Sequence, residues 1–578
     1  MDASFFQAPV AVPKLSGFDK SFMNLYTAKC GTLVPALCDE LMPGSIVDLQ
    51  MAASVSLPPL ASDTFMRCSL KVEAFFVPLR LCYGGFEHWF VQDEFDVLDG
   101  PADILQERNK HLPCFNFGAF TDSVDPALTF DLSEVFGAGT LSDYLGLKAG
   151  KMNAITLASP ESDVRFSLMP YIAYHKIWSD WYRNTLVQRD CFAPLSSTGS
   201  DWSTLYYTVM SAPYCTSPTP ICQNLADADA DFSTGELKFS SLAGTCYELA
   251  DGVNIFQLRQ RNFGFDFFTC ATPSPQNGAS ASVTLDPTSL ATLGKGFTIS
   301  QLRSMNSLQQ WRERNNLTGD RYVDRLYGQY GCRPSDGIAQ RVLCIGSADI
   351  EVYNKGIYNS NNAANTGSQN PFGASLGARG GSAYGTSNGA ITLCKGFKAS
   401  EPGYIFVLTS LVPRVTYASG LDMKLARYCY DGSIGELPNP ILQNIGPEPI
   451  HTRVLTENVW ETTNVFGYTD RFGFFKAKFD ELHGLVRDGE SLESFALQRY
   501  LDEAQDPRID SEFLEIPTTY MDNVTAVKSA ISEYGCWVDS FFNYKVSMPL
   551  SKYSLPSLQD PAYEHGKTIV VRRGGFRF

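Results

Sequence analysis

The sequence is short of charge, and of positive charge in particular. Charged residues make up 19% of its 578 residues, and 62 acidic residues against 46 basic ones leave a formal net charge of −16. A free-standing nucleic-acid-binding protein normally carries a basic surface. If this chain encloses nucleic acid, we therefore expect most of the counter-charge to come from another protein, polyamines or ions.

Targeting and membrane segments are also missing from the sequence. The chain begins Met1-Asp2-Ala3-Ser4, with no basic stretch followed by an apolar one, so no signal peptide is predicted. No run approaches the roughly 18 consecutive apolar residues of a transmembrane helix. We expect a protein that is made and kept in soluble form, or that assembles from one.

Motifs of metal-binding and catalytic sites are absent as well. The 15 cysteines include no C-x-x-C pair, and no two of the six histidines lie within seven residues of each other. This spacing excludes zinc-finger and H-E-x-x-H patterns. The cysteines are predicted to be reduced and partly buried. We predict no cofactor, no metal and no enzymatic activity.

Period-two patterns are the strongest structural signal that is present. Apolar residues alternate with more polar ones from Val47 to Leu57 and from Met66 to Ala74, and 404–412 is strongly apolar. Such alternation is typical of strands with one buried face. With 46 glycines and 32 prolines spread along the chain, the sequence predicts a mainly β protein.

One amphipathic helix stands out, and shorter helices are predicted after it. Pro170 suits a first helical turn, and an aromatic stripe follows at helical spacing: Tyr171, Tyr174, Trp178, Trp181, Tyr182 and Thr185. Core packing explains this stripe better than a ligand platform does. We interpret His175, within it, as a hydrogen-bonded packing residue and not as a catalyst. Further helices are predicted from Thr298, over Asp320–Tyr330 and within 489–505.

The chain is interpreted as one elaborated domain, 1–578. Its predicted parts are an N-terminal arm at 1–30, insertion loops at 93–165, 195–256 and 354–396, and a basic C-terminal tail at 560–578. The tail carries Lys567, Arg572, Arg573 and Arg577, with no acidic residue from Lys567 onward. These four residues could contact DNA, contact a neighbouring protein, or belong to a plain exposed terminus.

Six segments together resemble the major capsid protein of the Microviridae, especially its gokushovirus-like branch. In chain order they are Gly31-Thr32-Leu33-Val34-Pro35 with Asp39-Glu40-Leu41-Met42-Pro43-Gly44, Phe75-Phe76-Val77-Pro78-Leu79-Arg80, Tyr174-His175-Lys176-Ile177-Trp178-Ser179-Asp180-Trp181-Tyr182-Arg183, the stretch from Arg261 through Asp266-Phe267-Phe268-Thr269 to Pro273-Ser274-Pro275-Gln276-Asn277-Gly278, the helix from Thr298 with Gly319-Asp320-Arg321-Tyr322, and Phe466-Gly467-Tyr468-Thr469-Asp470-Arg471. Ser45 and Ser274 depart from the family pattern, which has Asp and Trp there.

The resemblance implies a fold and a set of partners. The fold is an eight-stranded antiparallel viral jelly roll, a β-sandwich, with long insertions containing helices. Copies would assemble in the host bacterial cytoplasm into a small T=1 icosahedral virion shell around a circular single-stranded DNA genome. Implied partners are a small basic DNA-binding protein, a pilot protein, an internal scaffolding protein and a host surface receptor. Only about twenty residues separate Gln276 from Thr298, so the family's large protrusion is not expected there.

Two other classes of protein share this composition. A carbohydrate-binding β-sandwich is also rich in aromatics and glycine, but usually carries a secretion signal. A phage receptor-binding spike would favour internal repeats, and none is visible. Both remain alternatives to a shell protein at this point.

Overall fold

The computed structural model describes the chain in separate stretches. They are 7–13, 15–83, 114–116, 137–147, 165–191, 230–231, 236–237, 251–275, 335–354, 383–386, 391–426, 447–526, 530–550 and 563–572, with short internal gaps and a few isolated positions besides. For the first and last of these stretches, and for some short strands, the description is of the backbone alone. All statements below concern these residues.

Eighteen strands form in this part of the chain. They are β1 Gln7–Pro13, β2 Ser16–Asp19, β3 Phe22–Ala28, β4 Val34–Leu41, β5 Ile46–Ser56, β6 Cys68–Pro78, β7 Cys114–Asn116, β8 Arg165–Ser167, β9 Ala230–Asp231, β10 Glu236–Leu237, β11 Leu343–Asn354, β12 Ala383–Thr386, β13 Ile391–Lys398, β14 Gly403–Pro413, β15 Glu448–His451, β16 Val465–Thr469, β17 Cys536–Met548 and β18 Tyr563–Arg572.

The helices are few and short. They are α1 Leu141–Tyr144, α2 Met169–Ile177, α3 Met423–Ala426, α4 Gly473–Lys476, α5 Ser511–Leu514 and α6 Ala530–Tyr534, with a π-helical turn at Trp178–Tyr182 and 3₁₀ turns at Leu79–Leu81, Thr452–Val454, Gly484–Val486, Glu493–Phe495 and Thr518–Val524. Within the described stretches, no helix is long and apolar enough to cross a bilayer.

Two antiparallel sheets form the body of the protein. In the first sheet, β17 pairs on one side with β2 and β3 and on the other with β5, which in turn pairs with β13 and β12. In the second sheet the order is β11–β6–β14–β4. The far end of β11 also pairs with β12, so β11 links the two sheets.

The main core lies between these two sheets. It collects inward residues of every major strand, among them Val55 of β5, Leu70 of β6 and Val538 of β17. Hydrogen bonds also cross it: the Tyr26 hydroxyl donates to Thr409 Oγ1 at 2.9 Å, linking β3 to β14. The body is therefore a β-sandwich.

The outer face of the second sheet is covered by helix α2. Ile172, Tyr174 and Ile177 of the helix pack against Phe75 of β6 and Phe406 of β14 in a second apolar cluster. A third cluster, around Phe268, Phe466 and Phe513, lies at one end of the sandwich and is built largely from the chain between β14 and β17. The predicted aromatic stripe is thus confirmed as packing.

The strand predictions are confirmed, and one helix prediction is wrong. The two alternating runs form β5 and β6, and the apolar run forms β14. The predicted aromatic helix is α2, continued by the π-helical turn. Where the short helix was expected within 489–505, the described residues form only a 3₁₀ turn, Glu493–Phe495, and no α-helix. For the helix predicted from Thr298, the described positions 303, 306–308 and 310–311 are all helical, whereas the helix predicted over Asp320–Tyr330 lies outside the described residues.

The predicted arm and insertions fall partly within the described chain. Inside 1–30, β2 and β3 pair with β17, and β1 pairs with β18 in a separate two-stranded ribbon. Inside 354–396, the chain from 383 onward contributes β12 and most of β13 to the first sheet. Most of 93–165 and 195–256 lies outside the described residues.

Candidate functional site

Four of the six motif segments meet beside helix α2. The Tyr174 hydroxyl donates to the Leu33 carbonyl at 2.8 Å and accepts from the Arg259 backbone N–H at 2.9 Å. The Trp178 indole donates to the Gln260 carbonyl at 3.1 Å. The helix, the opening motif and the chain leading into the Arg261 motif are therefore held together by buried hydrogen bonds, and Phe75 of β6 packs into the same cluster.

Arg259 is the buried centre of this arrangement. Its guanidinium donates to both carboxylate oxygens of Asp251, at 2.5 and 3.3 Å, and its Nε donates to His175 Nδ1 at 2.8 Å. The same guanidinium stacks over the Trp178 ring, 4.4 Å from its centroid. We call Tyr174, His175, Trp178, Asp251 and Arg259 the motif junction.

The hydrogen bonds fix the state of His175. Because its Nδ1 accepts from Arg259, its Nε2 must carry the proton that it donates to the Ile255 carbonyl at 2.7 Å. Burial, and then the adjacent Arg259 charge, hold the pKa of His175 well below its ordinary value of 6.5. His175 is therefore a neutral, fully buried packing residue, as its place in the aromatic stripe predicts.

A second, partly buried ion pair ties the same helix region to the sandwich. Arg261 donates to both carboxylate oxygens of Glu73 on β6, at 2.6 and 3.1 Å, and the Tyr182 hydroxyl donates to the same carboxylate. The Arg261 backbone N–H also donates to the Gly31 carbonyl at 2.8 Å. The motif residues form a framework between helix, sheet and loop.

This framework holds the helix, the sheet and the loop together. Its charged groups are paired and enclosed, and its histidine is neutral. Across the described stretches no cluster of histidine, cysteine, aspartate or glutamate could hold a metal ion. The nine described cysteines are thiols that form no disulfide with one another, and most are buried. Asp251, Glu73 and Arg259 were missed by the sequence analysis, because their partners lie 8 to 188 residues away.

The predicted site residues of the tail lie far from the motif junction along the chain. Lys567 and Arg572 belong to β18, where Arg572 is opposite Gln7 of β1. Arg573 and Arg577 lie outside the described residues. Their contact with DNA or with a neighbour remains a prediction.

Comparison with known proteins identifies the family to which the chain belongs. The family model described as "Capsid protein (F protein)" matches residues 8–558. The chain belongs to this family of capsid proteins. It is similar along nearly its whole length to capsid protein VP1 of Chlamydia phage 1, with 24% identity covering 97% of this chain and 98% of the relative. Capsid protein VP1 of Bdellovibrio phage phiMH2K is 23% identical over 96% and 97%, and that of Spiroplasma virus 4 is 22% identical over 92% and 92%.

Membership in this capsid protein family confirms the resemblance and the structural role. The relatives are Microviridae capsid proteins, and this chain spans almost their full length.

Proposed function

We propose that this chain is a viral jelly roll whose copies form a T=1 icosahedral shell around a circular single-stranded DNA genome. The observation that carries the proposal is the strand order in the two sheets. A jelly roll packs two four-stranded antiparallel sheets made from two Greek keys, and it recurs in viral capsids.

The strand order fits this description when β2 and β3 count as one interrupted strand and β12 and β13 as another. The eight strands in chain order are then β2/β3, β4, β5, β6, β11, β12/β13, β14 and β17. Taken in that order, strands one, eight, three and six form the first sheet, and strands two, seven, four and five form the second. Successive strands mostly alternate between sheets, which supports the jelly-roll assignment.

Charge supports the proposed partners. A shell chain of net charge −16 does not neutralise packaged phosphates, so a small basic DNA-binding protein fits the charge balance. A pilot protein, an internal scaffolding protein and a host surface receptor complete the proposed set, with assembly in the host bacterial cytoplasm. We also propose that the tail residues Lys567, Arg572, Arg573 and Arg577 contact the genome or a neighbouring subunit.

Negative-stain electron microscopy of material from infected or expressing cells tests this function. We expect uniform spherical particles of roughly 25–30 nm, with about sixty copies of the chain in each. Sedimentation or mass photometry should then give roughly 4 MDa of protein per empty shell, from the chain mass of 63.8 kDa. A protein that stays monomeric and binds glycans, in cells that also supply its partners, would contradict the proposal.

A further inference from the structure

The outer face of the first sheet carries a cluster of exposed large apolar side chains. Met23 and Leu25 of β3 are 71% and 75% exposed, and Trp537 and Phe541 of β17 are each 46% exposed. We call these four residues the apolar sheet patch. Leaving them in water is unfavourable in proportion to their exposed area.

The patch is contiguous because of strand register. Phe541 is directly opposite Met23, and Asp539 is opposite Leu25, on the neighbouring antiparallel strand. Both strands alternate strictly here, so their inward partners Val538 and Phe542 fill the sandwich core while the patch residues point outward. On the other side of β17, Phe541 is opposite Ala52 of β5, which extends the apolar surface.

The outer face of the second sheet is covered, whereas the outer face of the first sheet is partly exposed. Helix α2 covers the second sheet with Ile172, Tyr174 and Ile177, whereas the patch stays exposed in the single chain. Taking full side-chain areas of roughly 200 Å² each, the patch exposes about 500 Å². A monomer seldom shows a larger apolar patch without a partner for it.

The charges around the patch indicate which class of partner fits. Asp539 lies between the two aromatic residues of β17, and the outward residues nearby include Asp19, Asp48, Lys398 and Lys545. With Lys395 of β13, which is also exposed, the acidic and basic groups balance, so they create no strong positive potential for phosphates. Single-stranded nucleic acid binds aromatic platforms that are flanked by positive charge, so this face suits a protein surface instead.

We propose that the apolar sheet patch is a contact between two copies of this chain, an inference that rests on the proposed shell function. Two such patches face to face would bury about 1,000 Å², the lower bound for a specific interface. A two-fold axis at Phe541, with the two β17 strands antiparallel across it, brings the two Phe541 rings together. It also sets Asp539 of one copy opposite Asn543 of the other, and Lys545 opposite the Trp537 ring, an arrangement that suits a cation–π contact.

Site-specific photo-crosslinking in assembled particles tests this contact. p-Benzoylphenylalanine in place of Phe541 should, on illumination, give a covalent dimer of the 63.8 kDa chain. The same probe in place of Phe542, the fully buried neighbour, is the matched control and should give no dimer. A crosslink to DNA, to a different polypeptide or only within one chain would overturn the proposal.

A substitution pair separates this contact from the shell function itself. Leu25→Ser with Phe541→Ser replaces side chains that are 75% and 46% exposed and lie outside the sandwich core, so the unassembled chain should stay folded with a slightly lower thermal midpoint while particle yield falls at least tenfold. If the double variant assembles normally, the patch is not an interface, although the shell function stands. If the unmodified chain forms no particles with its partners present, the shell function fails instead.

Discussion

Replacing Arg259 by methionine tests whether the motif junction depends on a buried charge pair. Arg259 and Asp251 have side chains that are only 4% and 8% exposed, and the substitution leaves the Asp251 carboxylate buried without its cation. Breaking a buried ion pair from one side costs about 3–5 kcal/mol. We expect Arg259→Met to lower the free energy of unfolding by that amount, measured by urea denaturation of the unassembled chain with circular dichroism.

The chain offers a matched control in Arg414→Met. Arg414 pairs with Asp480 at a similar distance, 2.5 Å, but the two side chains are 58% and 38% exposed. Exposed ion pairs contribute about 0–1 kcal/mol, so this substitution should change the free energy of unfolding very little. A second variant, Arg259→Met with Asp251→Asn, should recover part of the loss because it removes the isolated charge.

Equal effects of Arg259→Met and Arg414→Met would refute the reasoning. So would a double variant that is less stable than Arg259→Met, because the Asp251 charge would then be stabilising by itself. Retained far-ultraviolet signal in each variant before urea is added excludes misfolding as the cause of any difference.

Three further predictions concern backbone, pH and tail. Gly31→Ala should lower the free energy of unfolding by about 2–4 kcal/mol, because Gly31 has a φ of +71° and an added Cβ would lie 2.6 Å from Ile516. Gly44→Ala, at a φ of +83° but with no atom near the added Cβ, should lower it by about 1–2 kcal/mol, and calorimetry compares the two variants. Because the pKa of folded His175 is lowered, its neutral form contributes its full stabilisation above pH 6.5, and this is lost as pH falls below 6.5 since only the unfolded chain takes up the proton. Urea titrations should show a slope of stability against pH that is smaller in His175→Gln than in the unmodified chain by up to about 1.4 kcal/mol per pH unit. Arg573→Ala with Arg577→Ala should reduce genome retention but leave empty shells intact, and normal DNA content in purified particles would show that the tail is no DNA clamp.

Period-two alternation predicted β5 and β6, whose outward positions are mostly small or polar. In β5 the outward side chains are small or polar, so the alternation from Val47 to Leu57 is plain in the sequence. Strand β17 alternates just as strictly in burial, yet its outward positions include Trp537 and Phe541. Apolar residues on both faces hide the period of two, so the longest strand of the sandwich was not predicted.

The sequence identified the segments that form the motif junction, but not the contacts between them. The helix that carries Tyr174 and His175 follows from its aromatic spacing, and so does the packing role of His175. The partners of His175 do not, since Arg259 lies 84 residues away along the chain. Pairing across such distances depends on how the sandwich brings loops together, and no local pattern encodes it.

The position of β17 between its neighbours also bears on the order in which the shell protein can be completed. The N-terminal strand β3 and the strand β5 are both made early, but each pairs with β17, which begins at Cys536 of 578 residues. At 5–20 residues per second, a ribosome needs roughly half a minute to two minutes to reach it. Until then the first sheet lacks its central strand. A chain that terminates early therefore cannot close its sandwich, and nascent or broken chains cannot present the finished surface that neighbouring subunits would join.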